Sequence, residues 1–250
     1  MQHIDRYEQG VAAARRRFHD DPAVRLVQDP GIGAPHLEAF FIYFCALGVA
    51  MTEPVESWIR RAGEACVRAG FNKLGRALQG HARSEAGHHL LMIADLDRLC
   101  DRRAAAGRVA PKSGDMLALQ WPESTQRYRQ MHEDVIAGPH PYAQIAIENE
   151  IEMLSVDIGP RLLDNARSLL GDDILDDLSF LTDHVTLDIG HTKFNRRQMA
   201  AFLDTQAEHG RVDGALDALV AAGSEVLDAY RAFVSDCVSM SSRGSLVMAP

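Results

Sequence analysis

The chain has 250 residues, 46% of them hydrophobic and 24% charged, which is the composition of a folded domain with its own core and not of a disordered chain. Lys and Arg number 26 against 35 Asp and Glu, a formal charge of −9, and an acidic surface repels phosphate backbones, so a nucleic-acid partner is not expected. The cysteines Cys45, Cys66, Cys100 and Cys237 are scattered and read as reduced thiols of a cytoplasmic protein, not as a disulfide frame or a zinc knuckle.

Strand signals are nearly missing, and helical periodicity runs throughout. A first helix is predicted over about residues 4–19, followed by the turn-rich DDPAVRLVQDPGIGAP. A long helix starts near Pro35 and runs through HLEAFFIYFCALGVAM, is kinked or restarted at Pro54, and stops at Gly70. The next is predicted from about Lys73 to Cys100, with about 101–122 as a connecting excursion. A short helix over about 123–136 leads to the Gly-Pro-His-Pro turn. Helices over about 142–169, 172–205 and 212–239 complete the pattern, and residues 240–250 read as a frayed tail. The prediction is a single all-α domain over 1–239, a bundle of about seven helices. No run of about 18 uncharged apolar residues occurs, so no membrane span is expected. MQHIDRYEQG has no basic region followed by an apolar one, so no secretion signal is expected.

The strongest chemical pattern is His184-Val-Thr-Leu-Asp188-Ile-Gly-His191. At about 100° per residue, Asp188 lies near +40° and His191 near −20° from His184, so three metal-capable side chains share one stripe. Two imidazoles and a carboxylate on a core-facing stripe are costly unless something compensates them. The plainer reading is histidines half-buried on one hydrogen bond each, with Asp188 orienting one of them. Glu85-Ala-Gly-His88 supplies a Glu-x-x-His pair, the spacing used by di-iron carboxylate bundles. His89 lies about 100° further round than His88, whereas His81 has a spacing that permits the same face; both read as bystanders.

Such a centre needs further carboxylates. AIENEIEML offers Glu148, Glu150 and Glu152, which turn by about 200° per step and so cannot all face inward. Glu148 has Ile145 and Ile151 three residues to either side, and Glu150 is its rival through Ile147, Met153 and Leu154. The first long helix offers Glu53, with Glu56 as its alternative. Glu53 follows the apolar FFIYFCALGVAMT, and reads either as an interior ligand or as a surface residue at a helix break. Imidazoles with carboxylates and no thiolate suit iron or manganese.

The ordered set Glu53, Glu85-x-x-His88, Glu148 and His184-x-x-x-Asp188-x-x-His191 resembles the heme-oxygenase-like di-iron oxidases and oxygenases, whose scaffold is shared with heme oxygenase, the TenA thiaminases and the PqqC-type oxidase. The resemblance covers about residues 35–205. It implies a heme-oxygenase-like helical bundle holding two Fe(II) ions, with Mn possible, on Glu53, Glu85, His88, Glu148, His184, Asp188 and His191. It further implies that Glu148 bridges the ions, that Phe40, Tyr43 and Phe44 bind substrate, and that O2 is the co-substrate. The implied substrate is a small metabolite, an amino acid or related amine or a fatty acid, in specialised-metabolite biosynthesis. Many proteins on this scaffold are dimers, so a homodimer is a possibility the resemblance carries. His36 is the nearest candidate for a heme ligand and has no supporting pattern, and no cysteine stands in the constellation as a thiaminase would need. The alternatives are a ferritin-like di-iron protein and a metal-free TenA-like hydrolase or ligand-binding bundle.

Overall fold

The computed structural model describes residues 2–242, and among them there are eleven α-helices and no strand. In chain order these are α1 (Gln2–Asp20), α2 (Pro22–Val27), α3 (Ala34–Thr52), α4 (Val55–Arg68), α5 (Asn72–Ala82), α6 (His89–Ala105), α7 (Ser113–Leu117), α8 (Glu123–Ala137), α9 (Gln144–Leu170), α10 (Ser179–Glu208) and α11 (Val212–Ser242). There are more helices than the seven or so expected, because turns divide two of the long segments and short helices occupy two presumed loops. One division falls at Pro54, as anticipated. The other falls at residues 83–88, inside the helix expected from Lys73 to Cys100. There Gly87 has φ +87°, a conformation that L side chains rarely adopt. Three residues of the expected tail, 240–242, continue α11, and the remainder of 240–250 lies outside the described residues.

Helix α3 is buried almost all round, from Leu37 to Met51, as a helix without a polar face must be. By length and composition the stretch 34–68 is apolar enough to cross a bilayer, but 78% of its most apolar window is buried inside the protein, where it forms the centre of the bundle. Helix α6 packs along α3, α11 packs against α1, α3, α8 and α9, and α4 lies on α5. Helices α9 and α10 form an extensive pair. A Cβ built on Gly159 would stand 2.4 Å from Val185 Cγ2, so the absence of a side chain there permits their close approach.

Helix α10 receives no cap from its own Leu178. Its N-terminus is held from a distance by Asp95 of α6, 1% exposed, which accepts the N–H groups of Ser179 at 3.0 Å and Phe180 at 2.8 Å and the Ser179 hydroxyl at 2.6 Å. A carboxylate on free helical N–H groups satisfies otherwise orphaned donors and complements the helix dipole. It also fixes α10, with its histidines, against α6.

Candidate metal centre

Three segments meet at one place. Helix α5 ends with His81, and the turn after it carries Glu85 and His88. In that turn the Ser84 N–H donates to the His81 carbonyl at 2.9 Å and the Leu90 N–H to that of Gly87 at 2.9 Å. Glu85 and His88 are therefore brought together by a tight turn and not by a helical face. Helix α9 supplies Glu148 and Glu152, one turn apart, and α10 supplies His184, Asp188 and His191.

Two groups of donor atoms result. In the first, His81, Glu85, Glu152 and His191 each place one donor within 4.8 Å of the others. His81 Nε2 lies 2.9 Å from Glu152 Oε1 and 4.0 Å from Glu85 Oε1. His191 Nδ1 lies 3.3 Å from Glu85 Oε1 and 3.7 Å from Glu152 Oε1. Asp188 Oδ1 stands 3.3 Å from the same His191 nitrogen. In the second group, Glu85, His88 and His184 meet the same criterion: Glu85 Oε2 is 3.0 Å from His88 Nδ1, which is 3.1 Å from His184 Nε2. Glu85 thus turns one oxygen to each group.

Surrounding residues hold these side chains in place. The Nδ1–H of His184 donates to the Phe180 carbonyl at 2.6 Å, which leaves Nε2 with its lone pair directed at His88. The Asn195 amide donates to Glu152 Oε2 at 2.6 Å, and the Ser155 hydroxyl donates to Asp188 Oδ2. Orienting partners of this kind fix ring tautomer and carboxylate direction at metal sites.

The residues fit a pair of cations. Glu148, Glu152 and Asp188 are 6%, 7% and 3% exposed and Glu85 is largely enclosed, yet no Lys or Arg pairs with any of the four among the described residues. Buried carboxylates without counter-ions are costly. Glu85 Oε1 and His191 Nδ1 are sealed from solvent and have no hydrogen-bond partner, although they face each other. Burial pushes the Glu148 carboxyl up to about 8, with Glu152 adding to the effect. It pushes Glu152 well above the usual value, with Asp188 adding to it. Burial also lowers His81 and His184, whose neutral rings are then free to ligate. Burial opposes the charge on Glu85, but the histidines beside it, His88 foremost, hold its carboxyl below the usual value. His191 is raised, first by Asp188, against burial. Nitrogen and carboxylate donors without sulfur suit iron, manganese or zinc.

Five residues singled out in the sequence come together: Glu85, His88, His184, Asp188 and His191. Glu148 is beside them but in neither group; its Oε1 accepts from the Gln144 amide, and the oxygen pair that spans both groups belongs to Glu85. Glu53 is exposed at the end of α3, the surface side of its two readings, because Pro54 ends the helix there. Glu56 pairs with Arg60 at 3.3 Å. Glu150, 1% exposed, lies on another face of α9, held by Tyr7 at 2.8 Å and by Arg15 at 2.7 and 2.8 Å. Glu152 and His81 were passed over in the sequence. The signal for Glu152 was its i+4 relation to Glu148, which puts both on one face. The signal for His81 was the same relation to Glu85.

A mostly apolar cavity of about 120 Å³ reaches Glu85, His88, Glu152, His184 and Asp188. Phe40, Phe44, Gly48 and Met51 of α3 form one wall. Tyr43, buried at 7% exposure, is not on that wall, because the stripe drawn by those four positions centres about 95° away from it.

No protein-family model and no curated protein matches the chain. Among solved structures, a domain of unknown function with a heme oxygenase-like fold from Shewanella denitrificans superposes with a TM-score of 0.71 at 17% identity, over 97% of this chain and 96% of that one. A CADD-like protein of unknown function from Nostoc punctiforme superposes with a TM-score of 0.64 at 15% identity, over 94% of this chain and 98% of its own. The fold is heme-oxygenase-like over almost the whole chain.

Proposed function

We propose that this heme-oxygenase-like chain is a non-heme di-iron enzyme that uses O2 to oxidise a small metabolite. The carrying observation is Glu85, whose two carboxylate oxygens face two separate sets of nitrogen and oxygen donors. His81, Glu152, His191 and Asp188 would hold one ion, His88 and His184 would hold the other, and Glu85 would contribute to both; Mn(II) suits the same donors. Bound iron supplies the electrons and open positions that O2 chemistry requires.

The chain's own residues do the rest. Ser155, Asn195 and the Phe180 carbonyl hold the ligands in direction. The apolar wall keeps bulk water away from the ions and presents the substrate to the face formed by His88 and His184. In the metal-free chain, burial raises the Glu148 carboxyl to about 8, so that it keeps a proton at the edge of the cavity. Of the substrates considered, an amino acid, a related amine or a fatty acid, the cavity favours one with an apolar body, since no Lys or Arg lines it.

The test is anaerobic reconstitution with Fe(II), followed by iron analysis and O2 uptake. About two ions per chain and O2 consumption are expected; a chain that retains no iron and consumes no O2 refutes the reading.

A further inference from the structure

Two tyrosines that line the cavity have hydroxyls without a hydrogen-bond partner among the described residues. Apart from Glu148 and the residues at the metal centre, its polar lining consists of Thr52, Tyr128, Ser155 and Tyr230. Thr52 donates to the Gly48 carbonyl at 3.1 Å. Ser155 is engaged with Asp188 and with the Glu152 carbonyl, the latter at 2.9 Å. Tyr128 is 4% exposed, its ring lies 6.3 Å from that of Tyr230, and neither hydroxyl has a hydrogen bond among the described residues. Elsewhere the protein satisfies its tyrosines: Tyr7 donates to Glu150 at 2.8 Å, and Tyr142 meets His140 at 2.8 Å. Both tyrosines line the same mostly apolar cavity, and a hydroxyl that faces a cavity without a protein partner gains a bond when a ligand's polar group arrives there.

We propose that Tyr128 and Tyr230 recognise one uncharged oxygen, a hydroxyl or carbonyl, on an otherwise apolar substrate. This rests on the reading of the cavity as the substrate site of the enzyme. Two phenols from α8 and α11, their rings 6.3 Å apart, line the same cavity, and no Lys or Arg lines it to match a carboxylate there. A charged group at this point would lose its hydration without replacement, whereas a neutral oxygen gains bonds that the empty protein lacks.

The experiment uses the full chain, with and without Fe(II) under anaerobic conditions, and three eight-carbon probes: 1-octanol, octanoate and octylamine. Affinities are measured calorimetrically for the wild type and for Tyr128→Phe/Tyr230→Phe, with Tm of the free proteins recorded in parallel. The wild type is expected to bind 1-octanol, and the double variant to bind it about tenfold more weakly, the loss that one or two net hydrogen bonds carry. Because the hydroxyls are unpartnered in the empty protein, the variant should melt no lower than the wild type. Equal octanol affinity in the two proteins, no octanol binding, tighter binding of octanoate or octylamine to the iron-free wild type, or a lowered Tm of the variant would each overturn the proposal. Iron content is read separately, so a failure to load iron counts against the di-iron reading alone.

Discussion

Oε1 of Glu85 lies 3.3 Å from Nδ1 of His191, and both atoms are buried without a hydrogen-bond partner. The other oxygen of Glu85 lies 3.0 Å from His88 Nδ1, and 3.1 Å further on stands His184 Nε2. Lone pairs directed at each other across such gaps repel unless a proton or a cation lies between them. A single carboxylate thereby ties together side chains from α5, α10 and the turn after α5.

Glu85→Gln should accordingly lower the affinity of both ions and not of one only. The amide keeps the shape but loses the charge and one acceptor oxygen. Ligand-supporting groups alone are worth about 10–100-fold in metal affinity, so at least that loss is expected at each position in an anaerobic Fe(II) titration. Two ions bound as tightly as in the wild type would remove Glu85 from the centre.

Stability of the metal-free chain should fall as pH rises from about 6.5 to about 8. Glu148 is raised from the ordinary 4.5 to about 8 by burial. A raised carboxyl is protonated in both states at low pH. Between the two values the unfolded chain releases its proton while the folded chain keeps it, so stability declines with pH by on the order of 3–5 kcal/mol in total. Glu152 acts in the same direction. His81 and His184, lowered by burial, act oppositely, but only below their ordinary 6.5. His191 is raised, and its contribution is likewise lost as pH rises. Divalent ions take the place of these protons, so metal binding should tighten over the same interval. A metal-free Tm that is level or rising between pH 6.5 and 8 would contradict this account.

The all-α class and the α10 motif were legible in the sequence because both are local. The stripe of His184, Asp188 and His191 follows from helical period alone. The inward carboxylates of α9 were harder to assign, because Glu148, Glu150 and Glu152 are all buried, each for a different reason. Glu150 is matched by Tyr7 and Arg15, far back in the chain at |i−j| 143 and 135, and no local pattern announces such a partner. The Glu85-x-x-His88 spacing was read as a pair on a helical face, whereas the two side chains meet at 3.0 Å across a turn. A glycine at positive φ leaves its residue type in the sequence but not its backbone angle, so the turn was invisible. Once the turn is present, Glu85 faces His81 across one turn of chain and the bystander becomes a neighbour.

His81 and His89 therefore make a paired test. His81 is 6% exposed and 2.9 Å from Glu152, whereas His89, half-buried at the start of α6, belongs to neither donor group. His81→Ala should weaken the more enclosed ion by at least tenfold, on the same scale of metal-site losses, and His89→Ala should leave both ions unaffected. Equal effects of the two substitutions in iron titrations would show that position relative to Glu152 does not matter.

Asp95 touches none of the donor atoms, yet its loss should reach them. It accepts the first free N–H groups of α10, a helix with no cap of its own, and Arg98 adds a bond to the Ser179 hydroxyl at 3.0 Å. Removing a capping carboxylate costs about 0.5–2 kcal/mol, to be read from urea unfolding of Asp95→Ala, with Asp95→Asn milder because it keeps one acceptor oxygen. The frayed first turn would release the Phe180 carbonyl that fixes the His184 ring. The ion held by His88 and His184 should then weaken more than the one held by His81, Glu152 and His191, whose α10 ligand lies two turns further along. Unchanged unfolding of Asp95→Ala, or an equal loss of both ions, would show that the α6 contact does not govern the placement of His184.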